Sequence, residues 1–352
     1  MPRNRIENSQ SAVLSAVTVV ELRDPTAVGE NIEILRQNLV LLETKPLRAR
    51  QIYVRLEDSM VIFQSTNVKM RVRTSVNMGL LAYSVFGPQA EGTVNGLPIG
   101  ADRMLGAKPG GQAEMVVEAG YESVAVLLSP AVLETHLIER QREENHCTPH
   151  GIDLFHINGI NARRFFDWGK RLANTAAHHP ELFNDRKEML GDVQTELLEM
   201  LLAALDTSRI PQHTRSHNTR QARNRVVRLA EDFALAQSED RLSVTDLCVA
   251  TGVSERTLQY AFQEVMGMSP LAYLTRLRLH RVRKALRMET YGSTTVSAQA
   301  LKWGFWHFGD FSRAYRACFG ELPSESLRRK PAETRIRRSN ADKPLPGNSG
   351  RP

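Results

Sequence analysis

Two short runs of side chains carry the chemistry in this 352-residue chain. The first is Glu255, Arg256, Gln259 and Gln263, spaced so that one face of a helix would hold them together. Arginine can donate a pair of hydrogen bonds to guanine O6 and N7, and glutamine can pair with adenine N6 and N7. The second run is His307, Asp310, Ser312 and Arg313, again donors and acceptors at helical spacing. Side chains of these types on an exposed helix face suit the edges of bases in a major groove.

What must position them is a pattern written twice. Leu-Ser-Val-Thr-Asp-Leu-Cys-Val-Ala-Thr-Gly-Val-Ser (242–254) precedes the first run, and Val-Ser-Ala-Gln-Ala-Leu-Lys-Trp-Gly-Phe (296–305) precedes the second. Leu258 and Phe311, Phe262 and Tyr315, Gly267 and Gly320, and Pro270 and Pro323 all stand 53 residues apart. Ser243 or Thr245 can cap a short helix over 246–250, Gly252 permits a tight turn, and Ser254 can cap the next helix. That helix would bury Leu258, Phe262 and Val265 on one stripe and turn the first run outward, with Tyr260. In the second copy a helix from about Gly309 would bury Phe311, Tyr315 and Cys318 and turn Arg316 outward with the second run. Helix, glycine turn and polar-faced helix describe a helix-turn-helix.

Between the copies, Ser269-Pro270 is a cap followed by a first-turn proline, opening a helix to about Met288. It carries Arg276, Arg278, Arg281, Arg283, Lys284 and Arg287. Arg276, Arg278 and Arg281, with Gln263, are candidates to reach phosphates, although a helix that also packs against both units must bury some of these side chains. The helix itself is expected to hold the two units in successive groove windows, ~34 Å apart.

The charge lies where this requires it. The net charge is +7, and residues 220–330 contain 18 Lys and Arg against 11 Asp and Glu, while residues 1–219 contain 23 against 26. An excess of that kind gains from counterion release on a duplex and weakens with salt. Cys147, Cys248 and Cys318 form no C-x-x-C pair, which fits a reducing, cytoplasmic setting. No apolar run nears the ~20 residues that span a bilayer, and no signal peptide or membrane partner is expected. An enzyme is not expected either: there is no P-loop, no G-x-G-x-x-G after a strand and no G-x-S-x-G elbow. The ten histidines begin at His136, after every expected strand. His146, Cys147, His150 and His156 form only a loose cluster, so neither metal nor cofactor is expected.

Upstream, residues 50–129 run as short β-branched segments at 51–56, 60–64, 68–73, 80–86, 113–118 and 123–128. Asn95-Gly96 between Val94 and Leu97 signals a two-residue hairpin. Arg71 and Arg73 alternate with Val72 and are expected on a solvated strand face. Residues 31–42 fit a short helix or a strand, and 1–29 read as peripheral with a short strand at 13–22. Helical patterns follow at 131–144, 161–177 and 185–205. The last carries Val193, Leu197, Met200, Leu201, Ala204 and Leu205 on one stripe. It would pack on its own sheet or pair with its twin, and the twin is favoured because linked readers gain affinity. The fold class is therefore α+β: a β-rich barrel or sandwich with helices over 1–206, a linker over 207–219, an all-helical double helix-turn-helix over 220–330, and a disordered basic tail over 331–352.

Over 220–329 the chain resembles the AraC/XylS family of bacterial transcription regulators. The likeness is carried by Ala-Thr-Gly-Val-Ser, Gly-Met-Ser-Pro-Leu-Ala-Tyr-Leu, Arg-Leu-Arg-Leu, and Trp-Gly-Phe followed by Phe-Ser-Arg-Ala-Tyr-Arg, Phe-Gly and Pro-Ser-Glu. The resemblance implies sequence-specific DNA binding, with the positions of Arg256, Gln259, His307, Asp310 and Arg313 on the recognition faces. Trp306-His307-Phe308-Gly309 departs from the usual second turn, as do Val282 and Ala285 from the usual central helix; the Gly-Phe-Trp-His-Phe-Gly run is similar to the ethanolamine-utilisation branch. The expected partners are double-stranded promoter DNA, RNA polymerase, a small-molecule effector in the N-terminal domain and a second copy of the chain. A regulator answering to a partner protein, or a low-specificity architectural DNA-binding protein, are the alternatives.

Overall fold

The computed structural model describes residues 16–25, 35–76, 79–140, 148–184, 187–206, 208, 215–237, 242–288, 294–328 and 335–338. In chain order come β1 (Val17–Leu22), β2 (Leu35–Leu41), β3 (Ala49–Arg55), β4 (Ser59–Thr66), β5 (Met70–Val76), β6 (Leu81–Phe86), β7 (Gly92–Val94), β8 (Leu97–Pro98), β9 (Arg103–Ala107), β10 (Gln112–Val117) and β11 (Glu122–Leu128). Then follow α1 (Pro130–Glu139), β12 (Ile152–His156), α2 (Gly159–His178) and α3 (Lys187–Leu205). The C-terminal region is helical: α4 (Arg215–Ala236), α5 (Val244–Thr251), α6 (Glu255–Met266), α7 (Pro270–Met288), α8 (Val296–Lys302), α9 (Phe308–Phe319) and α10 (Pro323–Arg328), with β13 (Arg335–Arg338) beyond it.

The strands form two sheets rather than a closed barrel. One has the order β12-β9-β6-β11-β4-β3-β1-β13, the other β2-β5-β10-β7-β8. Strand alternation sends every second side chain to the opposite face, and this sorts the layers. From the first sheet Ile52, Val54, Val61, Val124 and Val126 pack with Phe165, Phe166 and Trp168 of α2 and Leu197 and Leu201 of α3. Between the sheets lie Leu39, Tyr53, Ile62, Val72, Met115 and Leu127. The outer face of the second sheet is covered as well: Val40, Leu42 and Val116 belong to the same apolar cluster as Phe262, Tyr273 and Leu277 of α6 and α7. α8, α9 and α10 make a separate core with Val282 and Leu286 of α7. The order across the molecule is helices, sheet, sheet, helices.

Several expectations are decided or changed here. Residues 35–41 are a strand, while the segment 31–34 lies outside the described residues. β12 is a strand after His136, so the sheet does carry a histidine, His156; His146 and Cys147 of the loose cluster lie outside the described residues. α4 starts at Arg215, inside the stretch assigned to the linker. The tail holds β13, paired antiparallel with β1 from Thr18↔Arg338 to Glu21↔Arg335, because the open edge of β1 offers unpaired backbone groups. The stripe on α3 packs within its own domain, with Leu197, Leu201 and Ala204 at 0% exposure and Val193 and Met200 half-buried against the same cluster.

The hairpin expected at Asn95-Gly96 forms, with φ of 48° and 80°, the left-handed pair a two-residue turn needs. Its tip lies against α4: a Cβ built on Gly96 would stand 2.6 Å from the Arg220 carbonyl oxygen. Gly96→Ala should therefore cost about 1–3 kcal/mol, from left-handed strain plus overpacking. Gly120→Ala, at φ +87° with open space around it, should show the strain alone. Denaturant midpoints of the two variants check this.

Candidate nucleic-acid interface

Each copy of the repeat builds the same local device. Ser243 caps α5 in a reciprocal capping box with Asp246, its Oγ accepting from the Asp246 N–H at 3.2 Å and its own N–H donating to Asp246 Oδ2 at 2.8 Å. The Ser243 hydroxyl also donates to Asp246 Oδ2 at 2.7 Å, and this bond, with the one from the Ser243 N–H, holds the Asp246 carboxyl below its usual pKa. Gly252 ends α5 at φ +70°, and Ser254 caps α6 by accepting from Thr257 N–H at 3.3 Å. In the second copy Thr295 caps α8, accepting from Ala298 N–H at 3.1 Å, and Gly304 turns the chain at φ +76°. α6 and α9 are both 12 residues long, start 53 positions apart, and end on Gly267 and Gly320, each at φ +73°. The turns differ: Gly252 stands two residues before its cap, Gly304 three before His307, so Trp306 has no counterpart. His307 occupies the cap position without a side-chain hydrogen bond.

The inward stripes are buried as the spacing requires: Leu258 and Phe262 at 0% exposure, Phe311 at 1% and Tyr315 at 0%. On the outward face of α6 the structure places Glu255, Arg256 and Gln263 in solvent and Gln259 half-buried. The Arg256 guanidinium lies over the Tyr260 ring, 5.6 Å from its centre, an i,i+4 contact that orients it. On α9, His307, Asp310 and Arg313 are exposed, Ser312 is half-buried, and Asp310 pairs with Arg313.

The central helix departs from expectation. Its arginines serve the interior more than the surface. Arg283 grips Asp24 with Nε at 3.2 Å and Nη2 at 3.0 Å, donates through Nη1 to Glu321 at 2.8 Å, and stacks on Phe319 at 4.6 Å. Burial alone would lower its pKa, but the bonds to Asp24 reverse this and hold it above the usual value. Arg287 Nε reaches the same Asp24 at 3.0 Å. Arg276 donates to the Leu41 carbonyl at 3.4 Å, and Arg281 sits half-buried within the field of Glu231 and Arg73. Arg278 is also half-buried, and burial lowers its pKa. A row of phosphate contacts on α7 is thus not what this arrangement presents.

The residues that sequence reasoning missed lie where the second sheet meets α4 and α7. Arg71, at 1% exposure, donates from Nε to Glu231 Oε2 at 3.0 Å and from Nη2 to Glu114 Oε2 at 3.1 Å. Tyr273 OH donates to the other Glu231 oxygen at 2.7 Å, and Asn224 Nδ2 donates to Glu114 at 3.1 Å. Arg73 adds 2.9 Å to Glu231 and 2.7 Å to Asp232. Burial would depress the Arg71 pKa, yet the carboxylates of Glu231 and Glu114 raise it, and burial beside Glu231 pushes the Tyr273 hydroxyl far up. The strand face expected to be solvated is instead the joint between the two halves. A second joint lies at His280, whose Nε2 accepts from the Leu41 N–H at 3.1 Å.

Known proteins speak to the helical region. The family described as a helix-turn-helix domain matches residues 247–329. The probable thc operon regulatory protein of Rhodococcus erythropolis is 34% identical over 140 residues, 40% of this chain and 42% of that one. XylDLEGF operon transcriptional activator 3 of Pseudomonas putida is 32% identical over 159 residues, 45% of each. A crystallised probable AraC family transcriptional regulator from Rhodopseudomonas palustris is 39% identical, with 29% of this chain covering 94% of that one (TM-score 0.27). The chain belongs to the AraC/XylS family. It matches less than half the length of the curated relatives cited, and these lend nothing to the narrower likeness with the ethanolamine branch. In this AraC/XylS chain the outward faces of α6 and α9 were legible because they stand on a repeat. The joint was not, since nothing in a strand reading Arg-Val-Arg says which domain will cover it. No helix among the described residues is long and apolar enough to cross a membrane.

Burial, with Arg283 close by, drives the His280 pKa down to about 3, so the ring stays neutral and keeps its bond to Leu41. A chain freed from the fold would take a proton near the ordinary histidine value of about 6.5. The folded pKa being depressed, this contribution is complete above about pH 6.5 and falls away as the pH drops toward 3. Between pH 7.5 and 5.5 the loss should be about 1 kcal/mol in the parent and absent in His280→Gln, read from denaturant midpoints at both pH values.

Proposed function

We propose that this AraC-type DNA-binding regulator reads promoter DNA with α6 and α9 and that its β-sandwich controls how those helices are presented. The observation that carries the control is the Arg71–Glu231–Tyr273 joint. One buried guanidinium of the sandwich donates to Glu231 of α4, whose other oxygen accepts from Tyr273 of α7, and these two helices brace the first reading unit. Breaking such a pair costs roughly 3–5 kcal/mol, enough to make the two halves move as one until something competes.

The proposed effector site is the groove where the β7–β8 hairpin meets α4 and α6. It has a volume of about 720 Å³ and is lined by Thr93, Gly96, Arg215, Thr219, Arg220 and Glu264. That volume suits a metabolite, and three lining arginines, Arg215, Arg220 and Arg223, against the single carboxylate Glu264 that Arg223 pairs, favour an anionic one. The cavity between the sheets, about 40 Å³ and lined by uncharged Gln37, Gln51, Gln64 and Tyr121, is too small without the sheets parting. Because the P. putida relatives are named transcriptional activators, activation, with RNA polymerase as further partner, is the proposed outcome. A second copy of the chain would add affinity by linkage, but not through the stripe on α3.

Arg256 and Gln259, beside Glu255, are the proposed base readers of the first unit, and His307, Asp310 and Arg313 those of the second. Arg256→Ala should cost ~1–3 kcal/mol on a site selected from a random duplex library and nothing on random duplex. Equal losses on both would remove Arg256 from base reading. Arg220→Ala should abolish the thermal shift given by the anionic metabolite that a screening panel identifies, and Arg73→Ala should leave that shift but uncouple it from DNA affinity. A metabolite whose shift survives in Arg220→Ala would place the effector elsewhere.

A further inference from the structure

At the start of the second reading helix the chain exposes two large aromatic side chains. Trp306 is 55% exposed and Phe308 43% exposed, on either side of the exposed His307. The aligned positions of the first unit hold nothing comparable: Phe308 corresponds to Glu255, and Trp306 is the added residue of the longer turn. Both rings sit apart from the apolar cluster of that unit, which is completed by Trp303, Phe305, Phe311 and Tyr315. Indole and phenyl surface held in water at a helix start is unfavourable in the free protein by the hydrophobic effect. A partner that covers it would recover that energy.

The surroundings say which partner. Recognition helices contact base edges with their N-terminal residues, and Phe308 is the first residue of α9. Further along α9 stands Arg313, with 82% of its side chain exposed, and Arg316 lies one turn beyond it in solvent. A surface that couples apolar rings with guanidinium groups matches a groove edged by phosphates, and the thymine methyl is the one apolar group that the major groove displays.

We infer that Phe308 reads the 5-methyl group of a thymine in the second groove window, with Trp306 packed on the adjoining sugar. This rests on the reading of α9 as a DNA-facing helix. It adds an apolar determinant to a face otherwise built from His307, Asp310 and Arg313, and gives the second unit a preference for T over C that hydrogen bonding alone would not supply.

The test begins with the DNA site that the full chain enriches from a random library. Each thymine of the second window is replaced in turn by deoxyuridine, which removes only the methyl group. One replacement should weaken the parent about fourfold, the equivalent of one buried methyl. Phe308→Ala should bind the thymine site that much more weakly and show no further loss with deoxyuridine. Trp306→Phe should lose the change in tryptophan emission that the selected duplex causes in the parent. Circular dichroism verifies that both variants are folded, as substitution at exposed positions allows. If the deoxyuridine penalty persists in Phe308→Ala, or no thymine shows one, the inference fails. Arg313→Ala separates the two levels: if it weakens specific binding while Phe308→Ala does not, the methyl contact alone is wrong. If both bind as the parent does, α9 is turned away from DNA and both readings fall. Variants that bind DNA normally but fail to activate transcription would assign the rings to RNA polymerase, which also overturns the inference.

Discussion

A guanidinium cannot be buried alone. Its charge has to meet carboxylates in the same dry space or the fold will not close around it. Arg71 is that group here, and its partners come from both halves: Glu114 from the neighbouring strand, Glu231 from α4, with Tyr273 of α7 bound to the other oxygen of Glu231. The register makes this possible. Arg71 pairs across the sheet with Val40 and Val116, which belong to the apolar cluster of the first reading unit. The charge sits at the centre of an apolar contact, where water cannot replace a lost partner. Asp24, gripped by Arg283 and Arg287, repeats the principle at the other end of α7.

This gives α7 a different character from the one its composition suggests. A helix with Arg276, Arg278, Arg281, Arg283, Lys284 and Arg287 reads as a rail for phosphates. In the fold it is a spine, with its apolar face shared between both reading units and its arginines tied to Asp24, Glu321 and the Leu41 carbonyl. Among the described residues, the outward faces of α6 and α9 expose Arg256, Arg313 and Arg316.

Legibility in the sequence followed the range of the interactions. The repeat showed itself because caps, glycine turns and apolar stripes act within a few residues, and Gly267 and Gly320 adopt the same φ for the same reason. The strands from β3 to β6 and β10 to β11 were legible through β-branched alternation. β12 was not: it is five residues long, contains Asp153, and depends on pairing with β9 to exist as a strand. The fate of Arg71 and of the α3 stripe depends on what lies across the chain, and no local pattern in Arg-Val-Arg or in a leucine-rich helix records that. The candidate site was readable in its faces and opaque in its attachments.

α6 and α9 share a frame but not a surface. At aligned positions α6 carries Arg256, Gln259, Tyr260 and Gln263, where α9 carries Gly309, Ser312, Arg313 and Arg316. Under the proposed reading, such a molecule has a head and a tail along the double helix. The pair of half-messages that one copy would recognise is then ordered, so turning the same stretch of DNA end for end presents a different text.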